Sequence, residues 1–171
     1  MKKHAAVLTT LAILLFCRTA CLQAEIAPAP AASPSPAALD FGDFSSATIV
    51  GKAWKAAADK DYDAVLAYTG KVIDMFQKQA LDQQKSLTAP VPTDDKAKVF
   101  AMWALNDVGT AYYIRGQAYE KTGKTKEALD AYKFLADNLA FAQTYDPKGW
   151  FWKPANAAAE RVKVLEFDAV K

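Results

Sequence analysis

Residues 109–135 read GTAYYIRGQAYEKTGKTKEALDAYKFL, and their spacing decides the fold. Gly116, Tyr119, Gly123, Ala128 and Tyr132 stand at the offsets that two antiparallel helices require. Gly116 permits close approach, Tyr119 fills the space beyond it, and Gly123 stops the first helix. Ala128 and Tyr132 then repeat the thin-contact-and-plug pattern on the second helix. Val108, Tyr112, Gly116 and Tyr119 share a face, and Ala128, Tyr132, Leu135 and Leu139 share a stripe over a helix predicted for residues 125–142. Units of this kind present binding surfaces and seldom carry chemistry.

Helical spacing extends outward in both directions. One helix is predicted over Ser46–Ala58, capped by Ser45 or Ser46. The next begins near Asp61, carries Val65, Tyr68, Val72 and Phe76 on one stripe, and runs through a Gln-rich segment to about Ser86. TAPVPTDD (88–95) interrupts the chain, because Pro90 and Pro92 cannot continue a helix. Asp94 or Asp95 restarts it, and the length of the helix that follows predicts a break near Asn106–Gly109. Asp146-Pro147 reads as a cap followed by a first-turn proline. A last helix runs from Pro154 to about Phe167 with Ala158, Val162 and Leu165 inward. No segment after residue 40 alternates with period two and none resembles a hairpin turn, so the expected class is all-α.

The helical pairs contain an echo. WKAAADKDYDAVLAYTGKVI (54–73) is similar to QAYEKTGKTKEALDAYKFL (117–135), with Ala64 and Tyr68 standing sixty-four residues before Ala128 and Tyr132. On these residues the chain resembles tetratricopeptide-repeat (TPR) proteins, most closely over 109–142. The first unit lacks the turn glycine and reads as having a shorter loop. The resemblance implies a short stack of helical hairpins closed by a C-terminal helix, with a groove lined by the first helix of each pair. Carrying the register over, Thr110, Tyr113, Gln117, Glu120 and Lys121 face that groove, and Trp54 takes the place of Gln117 in the first unit. WALNDVGT (103–110) and AQTYDPKGWFWKPANAA (142–158) also resemble segments of a family of exported bacterial TPR-like proteins, some of which carry a glucanase label.

The two ends set location and charge. Lys2 and Lys3 precede an uncharged, mainly apolar stretch from Ala5 to Phe16, too short to span a bilayer and suited to a secretory signal over residues 1–24. Residues 25–39, EIAPAPAASPSPAAL, read as a disordered linker, and residues 40–171 as one helical domain. The expected location is periplasmic or secreted, with a lipid anchor on Cys21 ranked below simple cleavage. Both cysteines, Cys17 and Cys21, leave with the signal, so the mature domain is expected to stand without disulfides. Lys2, Lys3 and Arg18 leave too, so that eighteen basic residues face nineteen acidic ones. No basic stripe remains for a phosphate backbone, and nucleic acid is not an expected partner.

Chemistry has little to build on. The only histidine, His4, lies in the signal, so nucleophile–base pairs and nitrogen- or sulfur-rich metal sites are not expected. Neither a metal nor a cofactor is expected, nor is catalysis. DKDYD (59–63) opens like a calcium loop but has Ala64 where the loop needs glycine and Gly70 where it needs glutamate. Among carboxylates, Asp107 and Asp146 stand out, because each lies in an aromatic-rich stretch. Trp150, Phe151 and Trp152 stand together beside Tyr145 and Lys153, and at least one ring is expected to reach the surface. These rings, like Trp103, are read first as core, closing the seam to the last helix. The expected function is a non-enzymatic scaffold that binds a protein or peptide in the envelope. The alternative is a carbohydrate-associated module or weak glycoside hydrolase using Trp150 and Trp152. Self-association through the open end of the stack is a third reading.

Overall fold

The computed structural model describes residues 39–169, so the expected signal (1–24) and all of the linker but Leu39 lie outside the described residues. Ser45 opens the first helix, α1 (Ser46–Ala58), its hydroxyl accepting the Thr48 amide at 3.3 Å. That bond satisfies one of the amides that a helix start leaves without a partner. Ile49, Val50, Ala53 and Ala56 recur at helical spacing and are buried. Asp61 caps α2 (Tyr62–Lys85) in the same way, accepting the Ala64 amide at 3.0 Å. After the Pro90/Pro92 segment come α3 (Lys96–Ala101) and α4 (Trp103–Lys121), followed by α5 (Thr125–Asn138). The helix expected to reach residue 142 ends at Asn138, although Leu139 and Ala142 remain buried.

The α1–α2 and α4–α5 turns are built alike. Lys60 N–H donates to Ala57 O and Asp61 N–H to Ala56 O, while Gly123 N–H donates to Glu120 O and Lys124 N–H to Tyr119 O. Each pair of bonds closes a helix end through a left-handed residue, Lys60 at φ +61° and Gly123 at φ +73°. The two loops therefore have equal length, and the echo between the pairs runs at sixty-three residues rather than sixty-four. At that offset Val65, buried like Ala128, takes its place, and buried Thr69 takes that of Tyr132. Ala53 likewise takes the place of Gly116. Tyr68 stands one position off and packs edge-on against Phe41 at 5.5 Å. The missing turn glycine, with lysine in its place, hides this register in the sequence.

The break expected near Asn106–Gly109 lies instead at Met102 (φ −86°, ψ 33°), between α3 and α4. The backbone groups it frees find side-chain partners, as buried amides and carbonyls must. Gln83 Nε2 donates to Ala101 O, Leu105 N–H donates to Gln83 Oε1, and Asn106 Nδ2 donates to Val99 O. The Gln-rich end of α2 thus satisfies the break. Gly109 serves close packing instead, since a Cβ there would lie 2.5 Å from Ala142 Cβ. Gly116 does the same beneath Tyr132, whose Cε1 would stand 2.4 Å from an added Cβ. Ala128 and Tyr132 are fully buried, and Tyr119 is half-buried with its hydroxyl accepting from Arg115 at 3.0 Å.

Residues 144–152 depart from the all-helical expectation. They form an antiparallel hairpin of β1 (Thr144–Asp146) and β2 (Trp150–Trp152), with Thr144 opposite Trp152 and Asp146 opposite Trp150. Asp146-Pro147 is its turn, not a helix start. Asp146 Oδ1 accepts the Lys148 amide at 2.8 Å, Asp146 O accepts the Gly149 amide at 2.8 Å, and Gly149 adopts φ +101°. A three-residue loop ending in left-handed glycine is a favoured hairpin connection. Pro154 then starts α6 (Pro154–Asp168). Apart from this hairpin, the regular elements among the described residues are helices. α4 lies at the centre, in contact with α1, α2, α5 and α6, while α5 packs on α6 and β1 lies against α4.

Candidate functional site: an aromatic hollow beside α1, α4 and the hairpin

Two sets of residues that the sequence keeps far apart meet in one hollow of about 650 Å³. Trp54 comes from α1, Tyr113 and Gln117 from α4, and Tyr145, Trp150 and Trp152 from the hairpin. Thr144, Asp146, Pro147 and Ala157 complete the lining. The strand register explains the convergence. Thr144, Asp146, Trp150 and Trp152 are cross-strand partners and share a face, while Tyr145 and Phe151 form the opposite pair. Trp152 meets Tyr113 edge-on with centroids 5.1 Å apart. Trp150 is 52% exposed and Trp54 37% exposed, so both rings offer surface.

The hairpin is held from behind. Tyr145, Phe151 and Phe100 of α3 form a ring cluster with centroids 5.0 to 5.7 Å apart, and Lys96 Nζ lies 5.9 Å from the Tyr145 centroid. Thr110, expected to face the groove, is 2% exposed and sits beneath the hairpin instead. Its hydroxyl donates to Asn106 O at 2.7 Å and lies 2.6 Å from that of Thr144. A buried hydroxyl needs such partners, and here they tether the hairpin to α4. Gln143, also buried, donates its backbone amide to Asn106 Oδ1 and its side-chain amide to Val91 O. The wall is thereby fixed on three elements.

Two smaller hollows adjoin it. One, of about 270 Å³, shares Trp54, Thr144 and Tyr145 with the first and adds Asp107, Phe100 and Trp103. Trp103, expected in the core, is 39% exposed, with its ring edge-on to Phe76 at 5.5 Å. Asp107 is pushed above the ordinary aspartate range by burial, and a hydrogen bond donated by the Ser46 hydroxyl pulls it part of the way back. The other, of about 340 Å³, shares Gln117 and adds Glu120, Lys121 and Arg161. Burial pushes Glu120 upward, but hydrogen bonds from Arg161 and Tyr132 outweigh it and hold the carboxyl below its ordinary range. Arg161 donates through Nε at 3.0 Å and also through a terminal nitrogen, and the Tyr132 hydroxyl donates at 2.6 Å. Glu120 is therefore a joint between α4, α5 and α6 more than an open groove residue.

Of the predicted site residues, Trp54, Tyr113, Gln117, Tyr145, Trp150 and Trp152 come together. Lys121 is exposed at the adjoining hollow, and Lys153 lies outside the lining, its carbonyl accepting the Asn156 amide at the start of α6. Arg161, which lines the adjoining hollow and holds Glu120, is a residue that sequence reasoning misses; its position about one turn after inward Ala158 is the signal that could find it. Among the described residues, no cluster of acidic, histidine or cysteine side chains could hold a metal ion, and no helix is long and apolar enough to cross a membrane. Compared with family models, with curated proteins and with solved structures, the chain matches none.

Proposed function

We propose that the chain is a non-enzymatic scaffold of tetratricopeptide-like build that is exported to the cell envelope and binds an extended segment of a partner protein. The observation that carries this reading is the convergence of Trp54, Tyr113 and Gln117 with Tyr145, Trp150 and Trp152 around one open hollow. Large rings with polar tips on a rigid wall are the usual anchors for peptide segments. The equal turns of the two helical pairs and the contacts of α4 with α1 and α6 support the stacked-hairpin architecture. The carboxylates support binding over hydrolysis. Asp107 and Asp146 line different hollows, and each already accepts a hydrogen bond from its own surroundings. A glycosidase needs two carboxylates across one sugar bond.

A second reading, glycan binding, is favoured by the exposed Trp150 ring beside Gln117 and Asp146. A photo-crosslinking residue placed at position 117 in envelope preparations separates the two. The expected result is a crosslinked peptide from a different protein, lost when Trp150→Ala is added. Retention on insoluble polysaccharide that disappears with Trp150→Ala would instead establish the glycan reading. Crosslinks confined to a second copy of this chain would establish self-association.

A further inference from the structure

We infer that the smaller hollow beside Asp107 takes a primary ammonium group, the lysine side chain of a bound segment; the source of that group rests on the peptide-binding reading. Trp54, Phe100, Trp103, Tyr145 and Phe151 line this hollow of about 270 Å³ together with the Asp107 carboxylate. Among the described residues no lysine or arginine lines it. Lys96, the base set against the Tyr145 ring, stands outside the lining. Trp54 and Tyr145 belong to the larger hollow as well, so the two adjoin as one surface for a segment and its side chain.

Asp107 is the one charged group in this lining, and the protein leaves it uncompensated. Burial raises its carboxyl, the Ser46 hydrogen bond opposes that, and no neighbouring base contributes. The Ser46 hydroxyl donates to Oδ2, while Oδ1 has no partner among the described residues. Among those residues no sealed side-chain oxygen lacks a partner, so Oδ1 keeps surface open to a ligand. An ammonium supplies the missing counter-charge, donates to Oδ1, and meets rings whose faces attract cations. Other cations fit less well. A guanidinium pairs best with both carboxylate oxygens, and Ser46 already engages one. A quaternary ammonium has no proton to donate.

Intrinsic tryptophan fluorescence of the chain tests the inference. The ligands are a capped Ala-Ala-Lys-Ala-Ala peptide, its Nε-acetyllysine and Nε-trimethyllysine forms, and n-butylamine. The lysine peptide is expected to bind saturably and roughly tenfold or more tightly than either modified form, as loss of a charged hydrogen bond implies. Asp107→Asn keeps an acceptor for Ser46 and should abolish that preference, with a melting temperature within a few degrees of the parent. Trp103→Ala should weaken the lysine peptide a few-fold. Equal binding of the lysine peptide and either modified form would overturn the inference and leave the peptide-binding reading standing. A preference that survives Asp107→Asn, or that is lost on Asp146→Asn instead, would place the charge elsewhere and overturn it. Absence of saturable binding by the lysine peptide up to about 1 mM would also overturn it, without touching the reading that the crosslink at position 117 tests. If n-butylamine bound as tightly as the lysine peptide and in an Asp107-dependent manner, the ammonium site would stand and the peptide-binding reading would fall.

Discussion

The α1–α2 and α4–α5 pairs share helix ends, turn hydrogen bonds and loop length, yet they fill their seams with different side chains. In the second pair Gly116 is a bare notch occupied by the Tyr132 ring, whose hydroxyl reaches Glu120 and through it Arg161 of α6. In the first pair the matching positions are Ala53 and Thr69, a small residue against a small one, and the Thr69 hydroxyl turns back to Val65 O at 2.8 Å. The second pair carries its packing outward to α6 through the Glu120–Arg161 ion pair, whereas the first meets α4 through single hydrogen bonds, among them Ser46 to Asp107 and Arg115 to Leu66 O. The difference teaches that a common turn fixes how two helices meet, while the notch residues decide what the pair can hold next.

The largest break in this comparison should come from the plug. Tyr132→Ala removes a fully buried ring and leaves Glu120 without one of its donors. The expected cost is about 3–5 kcal/mol, the range for deleting a buried aromatic side chain. Thr69→Ala, at the matched position, should cost about 1 kcal/mol, because its hydroxyl serves only its own helix. Urea denaturation of both variants measures the gap. Equal costs would mean that the two seams contribute alike.

A middle-sized effect is expected at the turns. Lys60 holds a left-handed conformation that a side chain disfavours by roughly 1–2 kcal/mol. Lys60→Gly relieves that strain but loosens the unfolded chain, so a net gain of about 0.5–1 kcal/mol is expected. Gly123→Ala introduces the same strain into the other turn and should lose about 1 kcal/mol. Chemical denaturation should therefore show opposite signs. A loss on Lys60→Gly would mean that the lysine side chain stabilises its turn by a contact of its own.

These turns also explain what is legible in the sequence and what is not. Ser45, Asp61, Gly123 and Pro154 are punctuation with a single local meaning, and the helix boundaries near them can be read directly. Lys60 cannot, because lysine carries no signal for a left-handed turn, and the echo therefore reads one residue off. Gly109 and Asn106 look like helix weakeners in isolation. Their roles depend on Ala142 and on the carbonyl of Val99, which only the tertiary arrangement supplies. The hairpin strands, three residues each, are too short to show alternation. For the site, residue types that stand out for their rings do come together, but their union into one hollow depends on that hidden hairpin. Thr110 belongs beneath the hairpin rather than in the groove, because register along α4 cannot reveal that Thr144 lies over it.

The smallest effect separates the two junctions by pH. Glu120, between α4, α5 and α6, is held below its ordinary value of 4.5 because hydrogen bonds from Arg161 and Tyr132 outweigh burial. The folded chain then binds fewer protons than the unfolded one near that range, so its contribution is present above pH 4.5 and lost as pH falls through the folded value. Asp107, between α1 and α4, behaves oppositely. Burial holds it above its ordinary value of 3.8, and the Ser46 bond offsets this only in part. Its protonated form is favoured in the folded chain, so stability declines as pH rises from 3.8 through the folded value. Glu120→Gln should therefore lower stability at neutral pH and flatten the acid limb. Asp107→Asn should raise neutral-pH stability slightly and flatten the opposite slope, since the amide oxygen can still accept from Ser46. Thermal melts taken across the acid range read both slopes. If Asp107→Asn instead lost stability at neutral pH, the carboxylate would be serving the α1–α4 junction in its charged form, and the contrast between the two helical pairs would narrow to their notches alone.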